Sequence, residues 1–509
     1  MTRPVARGEP MPGAAQPGWL PAALLASAVL VLTVYVWLIS VGTWVSWPGR
    51  WRSYDSLASA FLKGQLSLPT QPDPALLALD DPYDPAAREG ISYPQDASLY
   101  DGKFYLYFGP APALLIALAR CCTEAPIGDQ HLVFLFVAGL FLLQLSLIRR
   151  IRRRYFPNSS PWTLVPLVIA AGLVNPWPWM LSTPSVYTAA ITAGQFFFLG
   201  GLHLALSTVE DDERPPAWQL ALAGICWAAA VASRLTQALP VCVMLALLAA
   251  RSLLRRRTHA MPSAALEPLM ALVLSFCLGV AALGWYNWAR FGSVLETGLR
   301  YQLAGVQLEP YGSSTFSPHY VLQNLYNYLL NPPRLKYAFP YLSPVRGSTS
   351  SVSPWIRLPA AYRAQEMLGL LYSAPLLVLS VLPTFSPRRK TTKDDDTRHE
   401  IRGLRWLVAG LSGTFLTAFA FLLFFFWAAE RYTVDFFPEL FLVSVIGVWQ
   451  LDRKLTSRPK LRIAFWVLSG GTLLASIIAG LLLAMSYNAD GFRALNPVLW
   501  RQLSNLFRP

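Results

Sequence analysis

Apolar runs of about 20 residues recur along the chain, and no other feature restricts its folding so severely. A run of that length crosses the hydrocarbon core of a bilayer as an α-helix, which satisfies its own backbone hydrogen bonds. Of the 509 residues, 54% are hydrophobic and only 14% are charged, whereas soluble domains carry about 25% charged residues. The sequence therefore specifies an all-α polytopic membrane protein.

Hydropathy and the placement of Lys and Arg predict about eleven transmembrane helices. They lie near 20–45, 132–148, 162–175 and 186–206, in two spans flanking Arg234, and near 266–285, 367–382, 407–427, 436–449 and 464–485. Basic loops at Arg149 to Arg154, Arg251 to Arg257, Arg388 to Lys393 and Arg453 to Arg458, with the mixed loop Glu210 to Arg214, fall on one side, which the positive-inside rule makes cytoplasmic. The formal charge of +14 thus reports topology, and no nucleic-acid partner is expected. Arg3 and Arg7 precede the first apolar run, which exceeds the roughly 7–15 residues of a signal-peptide core and reads as a retained anchor. Cys121, Cys122, Cys226, Cys242 and Cys277 lie in or beside apolar segments without metal-ligand spacing.

The expected organisation is a cytoplasmic tail (1–19), a membrane domain (20–485) and an extracytoplasmic tail (486–509). Two long extracytoplasmic loops, 48–128 and 287–364, are rich in Tyr, Phe and Leu, which favours packing on the membrane surface. In the second, Tyr320, Asn324 and Tyr328 share helical spacing with Leu322, Leu325 and Leu329, predicting a surface helix. The Trp177-Pro178-Trp179 stretch predicts an interfacial turn.

Polar chemistry gathers in the first loop. Tyr54, Leu57, Ala58, Phe61 and Leu62 line one helix face, with Ser53 as expected N-cap and Gly64 as expected stop. Asp55 then sits in the first turn, where it serves either chemistry or the helix dipole. The acidic middle of the loop, which includes Asp96, reads as turn-rich and solvated. The stretch Tyr100-Asp101-Gly102-Lys103-Phe104-Tyr105-Leu106-Tyr107-Phe108-Gly109-Pro110 puts a carboxylate and an ammonium amid aromatics before a short apolar helix. Asp101-Gly102 is also a turn signal, and Lys103 also fits an interfacial snorkeller.

These elements resemble the GT-C superfamily of polyprenyl-phosphate-dependent integral membrane glycosyltransferases, close to its bacterial protein-mannosyltransferase-like group. Asp55 matches the acidic residue after the first span. Asp101, Lys103, Tyr105 and Tyr107 to Pro110 match the motif that closes the first loop. Ser233-Arg234, Tyr286 to Ser293 and Glu430-Arg431-Tyr432-Thr433-Val434-Asp435-Phe436-Phe437-Pro438 match three further elements. The chain departs from the pattern in two places: it lacks the acidic pair directly after the first span, and no Asp or Glu occurs between Asp129 and Glu210, where Tyr187 and Thr188 are the polar groups.

The resemblance implies transfer of a sugar from a polyprenyl-phosphate donor to a glycan, lipid or protein acceptor, with inversion, at the outer face of the plasma (inner) membrane. It implies a base, Asp55 or Asp101, and phosphate or substrate ligands Lys103, Arg234 and Arg431 with Tyr105 and Tyr432. Arg431 has a second reading, as an interface anchor paired with Glu430 or Asp435. No cofactor is assigned, and a divalent metal is left open without a ligand set. Two other classes stand beside this one: a transporter or flippase of a lipid-linked or anionic substrate, and a non-catalytic relative.

Overall fold

In the computed structural model the described residues are 17–49, 52–210, 215–259, 267–305, 315–355, 357–385 and 395–506. Most of the expected cytoplasmic tail, the loop residues 211–214 and the basic stretch 386–394 lie outside them. Among the described residues, eight helical segments are long and apolar enough to cross a membrane: Trp19–Ile39, Asp129–Tyr155, Pro161–Ser182, Val186–Ala205, Leu235–Leu254, Glu267–Phe291, Ile401–Phe424 and Pro459–Tyr487. The other three expected spans correspond to a short helix, Ala217–Val231, a helix with charged ends, Phe437–Lys454, and a 3-10 segment, Pro375–Phe385. Pro383 lies inside the last of these and cannot donate a backbone hydrogen bond, which disfavours an α-helix there. This 3-10 segment packs on Phe437–Lys454, where Gly447 is needed because a Cβ there would meet the Leu379 carbonyl at 2.1 Å.

The expected interfacial turn at Trp177 is instead buried. The helix Leu164–Leu173 breaks at Asn175-Pro176 and resumes as Trp177–Ser182. Trp177, only 1% exposed, packs edge-on against Phe437, and Trp179 packs against Tyr487.

The first loop folds around the short helix Ser53–Leu62, which packs on Ala111–Ala119. Ser53 is its first helical residue rather than its cap; the Asp129 carboxylate accepts from the Tyr54 N–H at 3.5 Å instead. Gly64 does stop the helix, in the left-handed region at φ 71°. An antiparallel hairpin follows, β1 (Ala97–Tyr100) and β2 (Lys103–Leu106), with Asp101 (φ 48°) and Gly102 (φ 65°) as its two-residue turn.

The two long loops are joined backbone to backbone. Leu303 N–H donates to the Ala97 carbonyl at 2.9 Å, Asp96 N–H donates to the Leu303 carbonyl at 3.2 Å, and the Ser98 hydroxyl donates to the Gly298 carbonyl at 2.8 Å. Tyr301 stacks on Phe291 and packs at a tilt against Tyr100 across the same seam. Arg290 holds the end of β2, donating to the Leu106 carbonyl at 3.0 Å.

The predicted surface helix of the second loop is present as Val321–Leu330, with Asn324 and Tyr328 buried. Asn324 Nδ2 lies among the carbonyls of Leu422, Leu423 and Phe425, at 2.8–3.0 Å, which fixes the loop to the end of the Asp395–Phe424 helix. Parallel pairing of Arg363-Ala364 with Trp427-Ala428 continues the attachment. It delivers the loop to the segment Glu430–Asp435, where the candidate site lies.

Candidate phosphate site

The site is built where three connections meet: the turn Ser233-Arg234, the 3-10 segment Glu430–Asp435, and the start of Ala111–Ala119. The Ala111 N–H donates to the Ala232 carbonyl at 3.1 Å. Gly109 makes this approach possible, because a Cβ on it would stand 2.0 Å from the same oxygen. The first loop is thereby pressed against the Arg234 turn.

Arg234 is gripped by Asp435. Its Nε lies 2.8 and 2.9 Å from the two carboxylate oxygens and its Nη2 lies 2.8 Å from Oδ2. Thr236 Oγ1 and Gln237 Nε2 also reach the Asp435 carboxylate, each at 3.4 Å. Burial favours the neutral form of Arg234, but Asp435 outweighs it and holds the guanidinium above its usual range. The polar network continues inward through Gln237 Nε2 to Gln195 Oε1 at 3.0 Å, and from Gln195 to Glu439.

Tyr432 stands between two arginines. Its ring centroid is 5.1 Å from the Arg234 guanidinium carbon and 4.9 Å from that of Arg431. Tyr187 covers Arg431 from a distance of 5.0 Å and packs in turn on Phe108. Arg431 donates to the Gln365 side chain, while its Nε has no hydrogen-bond partner. Arg234, Arg431, Tyr432, Tyr187 and Tyr107 are all half-buried, so the row keeps an open face. Burial pushes the Tyr107 hydroxyl up to about 12, against the pull of Arg234, so it is a neutral donor at neutral pH.

Asp435 neutralises Arg234, so Arg431 leaves the row with an excess positive charge. A partly desolvated guanidinium with aromatic walls suits an anionic group. The alternative anchoring pairs expected for Arg431 do not form: Asp435 serves Arg234, and Glu430 accepts from the Leu368 N–H at 2.8 Å and from Asn175.

Of the residues nominated by sequence, Arg234, Arg431 and Tyr432 come together. Asp55 lies beside Arg120, with which it forms an ion pair. Asp101 and Lys103 occupy the exposed tip of the hairpin, and Tyr105 packs against Phe291 at 5.3 Å. Asp435, Tyr107 and Tyr187 complete the row; the signals for them were the acid four residues past Arg431, the aromatic run before Gly109, and the lone polar pair in an acid-free stretch. Among the described residues, no group of three or more His, Cys, Asp or Glu side chains is placed to hold a metal ion.

No protein-family model matches the sequence, and no curated protein matches it. The structure is similar over 96% of the chain to the apo oligosaccharyltransferase of Archaeoglobus fulgidus, at 13% identity and a TM-score of 0.41. The chain spans 60% of that protein's length. It is also similar over 95% of its length to ArnT from Cupriavidus metallidurans bound to undecaprenyl phosphate, at 12% identity and a TM-score of 0.43, covering 79% of that chain. A third similar structure is the archaeal oligosaccharyltransferase AglB from Archaeoglobus fulgidus with an inhibitory peptide and a dolichol-phosphate, at 13% identity and a TM-score of 0.41, where the chain again covers 60%.

Proposed function

We propose that this protein transfers a sugar from a polyprenyl-phosphate donor to a glycan, lipid or protein acceptor at the extracytoplasmic face of the membrane. The observation that carries the reading is the Arg234–Tyr432–Arg431 row, a half-buried cationic site. The motif resemblance of the first loop and of Glu430 to Pro438 supports the same reading.

In this account Arg431 and the outer edge of Arg234 bind the donor phosphate, and Tyr107 and Tyr432 line its approach. Charge builds on the phosphate as the glycosidic bond breaks, and fixed cations next to it stabilise that change. The phosphate is already a competent leaving group, so the protein needs only a base for the acceptor hydroxyl. A single displacement inverts the anomeric centre. The basic loops, expected on the opposite side from the two long loops, support an extracytoplasmic position for the site.

Turnover separates this reading from transport. The purified full-length protein is expected to release undecaprenyl phosphate from undecaprenyl-phospho-[14C]sugars. Uptake into vesicles without release would favour a transporter. Orientation has its own test, a Lys103→Cys variant in a cysteine-free background. It should react with an impermeant maleimide from outside, and labelling only after permeabilisation would reverse the orientation.

A further inference from the structure

Asp96 lies at the seam of the two long loops in an unusual state. It is only 8% exposed, and its φ of 60° lies in the left-handed region that L-residues other than Asn and Asp seldom enter. An aspartate tolerates this region, and here the surroundings enforce it. The enforcement is visible here: the Asp96 N–H is fixed to the Leu303 carbonyl, and Ala97 is fixed to Leu303 in turn.

The side chain is uncommitted. The charges of Arg431 and Arg88 act on it, yet no hydrogen bond or ion pair among the described residues holds its oxygens. Arg88 is 1% exposed, lies 4.8 Å from the Tyr93 ring centre, and donates to the Ala304 carbonyl; its Nε and Nη1 have no partner. Burial pushes the Asp96 carboxyl up to about 6, with Arg431 and then Arg88 drawing it down. A carboxylate so placed is ionised at neutral pH and basic enough to take a proton.

We propose that Asp96 is the base that deprotonates the acceptor hydroxyl, with the reacting anomeric carbon lying between Asp96 and Arg431. The assignment rests on the reading of Arg431 and Arg234 as donor-phosphate ligands. The hydroxyl proton passes to an Asp96 oxygen as the acceptor oxygen bonds to the anomeric carbon. The bond from that carbon to the phosphate oxygen breaks, and its electron pair stays on the phosphate. The products are the glycosylated acceptor, polyprenyl phosphate and a protonated Asp96, which then loses its proton to water. The charge of Arg431 acts on Asp96, and no hydrogen bond or ion pair joins the two side chains. Asp55 is held by Arg120, and Asp101 stands at the exposed hairpin tip.

The test is Asp96→Asn in the full-length protein, since Asn keeps the size and tolerates the left-handed backbone. The assay supplies undecaprenyl-phospho-[14C]mannose, -glucose and -arabinose separately, with a membrane extract as acceptor source. Undecaprenyl phosphate binding is measured in parallel. The expected result is a fall in kcat of about 100-fold or more with undecaprenyl phosphate binding retained. Wild-type kcat in the variant, or activity lost only together with lipid binding, would overturn the assignment while leaving the proposed function standing. Absence of undecaprenyl phosphate release by the wild type would overturn both.

Discussion

Asp435 holds Arg234 through both carboxylate oxygens, and this pairing leaves Arg431 as the cation without a carboxylate partner in direct contact. Asp435→Asn should therefore strand a mostly buried guanidinium. Breaking a buried pair from one side costs about 3–5 kcal/mol. A clear drop in the melting temperature in detergent is expected, with a raised KM for the donor. An unchanged melting temperature would show that Arg234 finds water or another partner.

Tyr432 touches both guanidinium groups through its ring. Each cation–π contact contributes about 0.5–1 kcal/mol, so Tyr432→Leu should weaken donor affinity about five- to thirty-fold. Tyr432→Phe keeps the ring and should stay within about three-fold of wild type. Equilibrium binding of undecaprenyl phosphate distinguishes the two variants.

Gly109 has no room for a side chain against the Ala232 carbonyl. Gly109→Ala must push the first loop away from the Arg234 turn. Overpacking of this kind costs about 1–3 kcal/mol. Transfer rate should fall further than stability, because the displaced loop carries Tyr107, which lines the donor's approach. Rates and melting curves measured on the same preparation show whether the two effects separate.

The architecture and the cationic end of the site were legible in the sequence because each rests on local signals. Apolar length gave most of the spans, and periodicity gave Val321–Leu330. The Arg234 and Arg431 motifs stood at predicted span ends. Partnerships were not legible. Asp435 could have paired with either arginine, and only the packing of Glu430–Asp435 against the Ser233 turn selects Arg234. Asp129 displaced Ser53 as the partner of the short helix's N-terminus for the same reason, being brought there by another span. Asp96 read as one acid in a solvated, turn-rich loop. Its burial depends on pairing with Leu303, some 200 residues away, which no local pattern records.

Glu430 ties the second loop to the broken helix at Asn175, and burial pushes its carboxyl up to about 7 despite the hydrogen bonds from Leu368 and Asn175. Its ordinary value is 4.5. Between these values the folded protein binds more protons than the unfolded chain, so this group's contribution lowers stability as the pH rises. The melting temperature should fall from about pH 5 to about pH 8, and the fall should be smaller in Glu430→Gln. A variant slope equal to that of wild type would assign the titration to another group.

Phosphate binding by the Arg234–Tyr432–Arg431 row predicts a preference for a polyprenyl phosphate over the uncharged polyprenol. Equilibrium binding of tritiated undecaprenyl phosphate to the full-length protein in nanodiscs, with undecaprenol as the uncharged comparison, tests it most directly. Charge-assisted hydrogen bonds contribute about 1.5–3 kcal/mol each, so the phosphate should bind at least about ten-fold tighter than the alcohol. The Arg234→Ala/Arg431→Ala double variant should lose that preference. Equal affinity of the wild type for both lipids, or a preference that survives in the double variant, would contradict the account.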